Sequence, residues 1–397
     1  MKLCPPSGNP RFFHVATIAF SLWLVGCRQL PTPQYQYQAP TYRHISLVPT
    51  ADTLHFTLRS DSYNSVRSFN YYMDQGIEYI AFYDKISGAV CIYNFRTGQL
   101  TTKIKLKHLL PYRGLSKKTT VYIKNADSIY VINKDMVYRF NRSLVLQDSI
   151  SFQPNPFPAL ASFRPEAPPF FHDGKLYLKA SPILSAKKKK DYRKWKSLYE
   201  LDFTSKHSML LYAPPARYQD SLYGFFFFAT SYCINDKNRL VFSYAADSNL
   251  YETDLAGYHM AYNGKSKFQQ GDIPAVREEE RTAEDAMKTA FNKRDSYENI
   301  YFDPVQKRYL RVAEQRIQER DFLLGKKSKN KSLIFFDQEL RIIGECNLAG
   351  NFSLSTLFFT ADGQMYVRTR ASDQYSIHLL RLAYQEDTTA THLAKVP

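Results

Sequence analysis

The chain has 397 residues and a mass of 46.1 kDa, with 53 Lys and Arg against 37 Asp and Glu for a net charge of +16. Hydrophobic residues make up 44%, enough for a sizeable core, which excludes bulk disorder. The 30 Tyr and 28 Phe suit pleated, half-buried surfaces, and few stretches repeat at 3.6 residues, which argues against an α/β nucleotide-binding fold.

The first elements read as an address and an anchor. Lys2 and Arg11 make a positive leader with no acidic residue before Cys27. From Phe12 to Val25 only His14, Thr17 and Ser21 interrupt an apolar run. Its length, about 14 residues, is that of a signal-peptide core and falls short of the roughly 20 a spanning helix needs. Leu24-Val25-Gly26-Cys27 then resembles the bacterial lipobox, in which small Gly26 admits the peptidase and the Cys27 thiol takes a diacylglycerol. Two or more acyl chains hold a protein stably at a membrane. Residues 1–26 are therefore predicted to be a lipoprotein signal peptide, and 27–41 an extended, lipid-anchored tether. Neither an Asp nor an acidic cluster follows Cys27, so the expected place is the cell envelope, at the outer membrane facing the periplasm. Processing leaves 51 Lys and Arg against 37 acids, a net charge of +14. Cys91, Cys233 and Cys346 are widely spaced in strand-like segments, which suits buried thiols better than a disulfide framework.

Beyond residue 66 one phrase recurs: a turn rich in Asp, Asn or Gly, then a short strand containing Tyr. It stands at 77–94, 125–132, 172–179, 235–242, 302–311 and 360–368. Aligning Tyr83, Tyr130, Tyr177, Leu240, Tyr309 and Tyr366 gives spacings of 47, 47, 63, 69 and 57 residues. Spacings of about 45 to 50 suit one four-stranded sheet per repeat. The longer ones carry insertions, a Lys-rich one at 186–196 and another at 274–295. The second opens with Pro274, places acids early and bases late, and carries Val276, Ala283, Met287, Ala290 and Phe291 as an apolar stripe. One helix is predicted there, near residues 275–295. Six hairpin repeats that cover one another radially predict an all-β fold, a six-bladed β-propeller over residues 42–390. Either 42–47 or 55–58 would be the strand that closes the ring, and a pair of β-sandwiches is the rival architecture.

Within the fifth repeat, Tyr297-Glu298-Asn299-Ile300-Tyr301-Phe302-Asp303-Pro304, followed by Lys307-Arg308-Tyr309-Leu310-Arg311, resembles a recurrent signature. It belongs to an uncharacterised Bacteroidetes lipoprotein family, domain-of-unknown-function family 4221, related to TolB-like six-bladed propellers. The resemblance singles out Asp303, Tyr309 and Arg311. It implies a fold and an envelope location, and no activity.

The sequence names no catalytic residue and no cofactor: G-x-S-x-G, H-x-H and H-E-x-x-H are all missing. Propeller lactonases collect a metal from single residues on different blades, which keeps a metal-dependent hydrolase as the alternative function. Asp173-Gly174, Asp236-Lys237, Asp303-Pro304 and Asp362-Gly363 read as turn formers, and Glu278, Glu279 and Glu280 as a solvated first helical turn. The basic runs at 187–190 and 326–331, the first near Tyr192 and Trp195, read as solvated loops, with no nucleic acid expected in the envelope. Lys179, Arg311 and Arg368 each follow a repeat Tyr by two residues and share its face. Rotation about a propeller axis would set these three cations around one mouth, where an acidic glycan, a peptide carboxylate or a phosphate could bind. The competing expectation is that each stem packs along its own Tyr ring. The expected protein is thus a lipid-anchored binding or scaffolding module for an envelope protein or polymer.

Overall fold

The computed structural model describes residues 30–110, 114–153, 158–183, 189–281, 283–348, 352–369 and 374–386. The signal segment and Cys27 lie outside the described residues.

Six antiparallel sheets follow one another along the chain. Blade 1 comprises Val66–Asp74, Ile77–Asp84, Ala89–Asn94 and Leu100–Lys105. Blade 2 comprises Thr120–Asn125, Ser128–Asn133, Met136–Phe140 and Leu146–Ser151. In blade 3 the first strand is split into Ala159–Ser162 and Phe170–His172, both paired with Lys175–Pro182; Leu198–Asp202 and His207–Leu211 follow. Blade 4 holds Thr230–Ile234, Leu240–Tyr244, Asn249–Thr253 and His259–Asn263. Blade 5 holds Ser296–Asp303, Arg308–Gln315, Asn330–Phe336 and Ile342–Asn347. Phe352–Phe359, Met365–Thr369 and Ser376–Glu386 form three strands of blade 6. Its fourth strand is the N-terminal Ile45–Thr57, antiparallel to Ser376–Glu386. A register shift between Pro49 and Thr53 lets this one strand run through both segments expected to close the ring.

First strands touch between blades 1 and 2, 4 and 5, 5 and 6, and 6 and 1, so the first strands line a central axis. Hydroxyl clasps fix their spacing: Val121 N donates to Ser68 Oγ (3.0 Å), Phe163 N to Thr120 Oγ1 (3.1 Å) and Ile300 N to Ser231 Oγ (3.0 Å). The apolar core sits in the wedges between blades, which is why the chain carries so many aromatic rings. In the wedge joining blades 6 and 1, the fully buried Phe56 of the closing strand meets Tyr93 edge-on at 5.7 Å and Phe95 at 6.4 Å. The turn chemistry holds where the sequence places it. Asp173 and Gly174 take φ of +48° and +73° between the paired His172 and Lys175, as a tight hairpin requires.

The repeats all fall on the second strands, Leu240 first in its strand and Tyr309 and Tyr366 second, and the largest slip is in blade 1. Tyr130 and Tyr177 are third in their strands, a place that Tyr79 rather than Tyr83 takes in blade 1. Tyr79 and Tyr83 are four apart and share a face, so alternation alone does not separate them.

Other expectations change more. Residues 30–43 do not hang free. Gln34–Gln36 adds a parallel strand to the edge of blade 4, and Thr41 N and Arg43 N donate to Ile342 O and Ile343 O of blade 5. The Lys-rich insertion includes the helical turn Lys189–Tyr192, and Tyr192 and Trp195 are buried, edge-on to Phe228 at 5.2 and 5.3 Å. Those rings hold the insertion to the core and offer no surface for bases. The predicted helix is Glu284–Asn292, preceded by a separate 3₁₀ turn at Glu279–Arg281. Glu280 is not a solvated first-turn residue: its Oε2 takes Nη2 of the buried Arg294 at 2.7 Å and the Arg277 N–H at 2.8 Å. In the second basic run Lys329 and Lys331 are likewise paired, Lys329 with Glu314 at 3.5 Å and Lys331 with Glu298 at 2.6 Å and Glu314 at 3.1 Å.

Candidate functional site

The two ends of the propeller treat charge differently. The face carrying the first-to-second-strand hairpins is closed by polar contacts between every pair of adjacent blades. Arg142 of blade 2 meets Asp74 of blade 1 (3.2 Å), and Arg96 of blade 1 meets Asp362 of blade 6 (3.3 Å). Lys307 of blade 5 meets Asp236 of blade 4 (3.3 Å), while Lys206 of blade 3 pairs with Asp148 of blade 2 and Arg308 of blade 5 with Glu386 of blade 6. Asn238 and His172 join blades 4 and 3 at 3.4 Å. A shallow groove of about 520 Å³ on this face, between blades 5 and 6, is lined by Arg308, Asp362 and Arg381, all with partners: Arg381 takes Asp52 at 2.8 Å.

The opposite face holds a cleft of about 280 Å³ whose cations have no acidic partner among the described residues. Arg67 and Lys85 come from the two ends of the first hairpin of blade 1, and Arg368 from the second strand of blade 6. Arg164 comes from blade 3, and the local sequence explains its reach. Arg164-Pro165-Glu166-Ala167-Pro168-Pro169 interrupts the first strand, because proline removes ladder donors, and the segment bulges instead of pairing. Asn64 and Ser65 complete the lining. The Arg368 guanidinium donates to Asn64 Oδ1 through one arm, while its buried Nε has no partner among the described residues. Burial pulls the Arg368 pKa down from its ordinary value. Lys179 stands within electrostatic reach of Arg164 and Glu166. It is surrounded by protein yet keeps accessible surface, and burial lowers its pKa against the opposing pull of Glu166. Such a cluster of cations, with Arg67 and Arg164 half-buried and Lys85 exposed, is arranged to meet an anion.

The family described as Domain of unknown function (DUF4221) matches residues 44–347. The chain belongs to it. A DUF4221 member from Bacteroides vulgatus, solved as a crystal structure, is 19% identical with a TM-score of 0.69, covering 87% of this chain and all of that one. A Bacteroides fragilis protein whose name marks it as a candidate for export is 9% identical with a TM-score of 0.52, covering 89% of this chain and all of its own. No curated protein matches this sequence.

In this DUF4221 protein the three cations expected to share a mouth part company. Arg368 lines the cleft and Lys179 lies near Arg164 behind it. Arg311 does not join them. It is fully buried between blades 5 and 4, donating to Ser243 Oγ (2.9 Å), Ser248 O (2.6 Å), Gly264 O (3.1 Å) and Asp247 O (2.6 Å) over the Tyr297 ring. The other two signature residues also fasten blade 5. Tyr309 OH accepts from Asn235 Nδ2 of blade 4 (3.0 Å), and Asp303 Oδ2 accepts from Tyr384 OH of blade 6 (2.9 Å). Asp303 Oδ1 takes the Val305 and Gln306 N–H groups, the turn role its sequence position suggested. Asp236 and Asp362 serve the inter-blade ring in addition. Sequence reading missed Arg67, Lys85 and Arg164; the Pro-rich break after Phe163 was the available sign of the last. Among the described residues no three His, Cys, Asp or Glu side chains converge to hold a metal, and no described helix is long and apolar enough to cross a membrane. Cys91 and Cys233 are buried free thiols and Cys346 is partly buried.

Proposed function

We propose that this protein is a lipid-anchored binding module of the cell envelope that takes hold of a ligand through an anionic group. One observation carries the reading: cations from three blades line a single cleft without acidic partners among the described residues, on a molecule whose other face neutralises its charges blade by blade. The lipobox-like Cys27 supports the anchor. Only Arg28 and Gln29 separate Cys27 from the described chain, a reach of about 10 Å at 3.3–3.6 Å per residue. Pro31 is fixed there by His259 Nδ1 (2.8 Å), at the start of the fourth strand of blade 4 and so on the hairpin side. An anchor at that point turns the hairpin face toward the membrane and leaves the basic cleft facing away from it.

The test is calorimetric titration of the lipidated protein in nanodiscs with inorganic phosphate at low salt. Wild type binds. Arg67→Ala with Arg368→Ala weakens binding by at least about tenfold, since two charge-assisted contacts are lost, with the thermal midpoint close to wild type. Equal phosphate affinity in wild type and double variant refutes the cleft. Failure of the Cys27→Ser chain to lose labelled fatty acid refutes the anchor.

A further inference from the structure

The basic cleft does not end at its cations. Along the first strand of blade 1, Ser65, Val66 and Arg67 line the cleft, and the next residues, Ser68 to Tyr71, line a second cavity of about 160 Å³ in the central channel. Arg164 belongs to both linings, so the two spaces meet at its side chain. The inner cavity has a different character. Its walls are aromatic: Phe69, Tyr71, Tyr122, Phe163 and Phe358, with Tyr71 stacked on Phe358 at 5.4 Å and Tyr122 tilted on Phe163 at 5.8 Å. Two polar groups in the walls are already engaged. Ser68 Oγ accepts from Val121 N (3.0 Å), and Asn70 exchanges hydrogen bonds with the Ile123 backbone (2.9 and 3.3 Å). Away from Arg164, a bare phosphate would find little to bind in this part of the channel, whereas an apolar group would displace water that the walls hold poorly.

We propose that the joined cavity binds an amphiphilic anion: a compact acid group, carboxylate or phosphate, attached to an aromatic or short apolar body. The acid group sits among Arg67, Arg164 and Arg368, and the body enters the aromatic channel. Size agrees, because an apolar cavity of about 150 Å³ accepts benzene. The arrangement also gives the break in blade 3 a purpose: the displaced segment places Arg164 where charge and apolar wall adjoin. This proposal rests on the cleft being an anion site and adds what the anion is joined to.

Phenyl phosphate, inorganic phosphate and benzyl alcohol are titrated into the full lipidated chain in nanodiscs, with empty nanodiscs as the blank. Phenyl phosphate is expected to bind about ten- to a hundredfold more tightly than inorganic phosphate, the gain from burying one ring, while benzyl alcohol binds far more weakly than phenyl phosphate. Tyr122→Trp, which fills the channel, should bring the ratio of the two phosphate affinities down toward one. Equal affinities for phenyl phosphate and inorganic phosphate in wild type overturn the proposal and leave the anion cleft standing. Absence of binding by either phosphate overturns both. An undiminished ratio in a folded Tyr122→Trp variant also overturns it, since the ring then lies elsewhere.

Discussion

Arg311 and Arg368 stand at equivalent steps after a repeat Tyr, yet one guanidinium is consumed by structure and the other keeps, among the described residues, only Asn64 as a side-chain partner. The difference lies in the neighbour. Beside Arg311, Gly264 brings its backbone so close that a Cβ there would lie 2.8 Å from Arg311 Nη1 and 2.8 Å from Ser248 O. Burial lowers the Arg311 pKa to about 10, which leaves it charged at neutral pH, stabilised by carbonyl dipoles and the Tyr297 face. Arg311→Met should therefore cost about 3 kcal/mol or more in urea unfolding, since several buried carbonyls lose their donor at once. Arg311→Lys should rescue little, lacking the planar fork, and both should keep phosphate affinity if folded. The carboxylates of blade 5 give a pH dependence. Burial, then the charge of Glu314, pushes Glu298 up to about 7, whereas Lys329 and Lys331 overcome burial and hold Glu314 down to about 2. The folded chain thus keeps the Glu298 proton above its ordinary value of 4.5, so this group's contribution to stability falls as pH rises from 4.5 to about 7. Glu314 acts oppositely, its contribution being lost as pH falls below 4.5 toward about 2. Unfolding free energies of Glu298→Gln should lack the decline across the upper window; an unchanged slope assigns that decline to other groups.

At the scale of elements, the strand Ile45–Thr57 and the segment before it do separate jobs. The segment 30–43 lies along the outer edges of blades 4 and 5, where it adds hydrogen bonds but no wedge core. The strand completes blade 6 and delivers Phe56 to a closed aromatic cluster. Removal of residues 1–43 should leave a cooperative thermal transition and unchanged strand content by circular dichroism. Removal through residue 58 should abolish that transition, and Phe56→Ala in the intact chain should cost about 3–5 kcal/mol. A chain lacking 1–58 that still unfolds cooperatively would show that the ring does not depend on this closure. The repeats were legible because a hairpin turn and the strand after it are local in sequence. The fate of the Lys-rich insertion was not, because Tyr192 and Trp195 find Phe228, Tyr218 and Tyr244 far along the chain.

Across the whole molecule, charge is sorted by face. The inter-blade pairs of the hairpin face are largely exposed and contribute about 0–1 kcal/mol each, so they set blade register more than stability. The cations of the other face, which have no acidic partner among the described residues, create a field that steers anions and that salt screens over about 8–10 Å. Raising ionic strength from about 0.05 to 0.5 M should therefore weaken phosphate binding strongly while moving the thermal midpoint by a few degrees at most, as seen by titration and calorimetry on one preparation. A midpoint that collapses in step with binding would mean that the cleft's cations are structural.

Turn chemistry, strand alternation and repeat count fixed the blade number in the amino-acid order itself, because each rests on residues a few positions apart or on a period, whereas the sequence left two segments open for the closing strand and pairing with Ser376–Glu386 joined them into one. Which cations stay free was decided only when the blades packed: Arg311 and Arg368 carry the same local signal, and their roles diverge through Gly264, Ser248 and Asp247 on one side and Asn64 on the other. Charge neutralisation depends on who stands across a blade boundary, a distance that sequence separation does not measure.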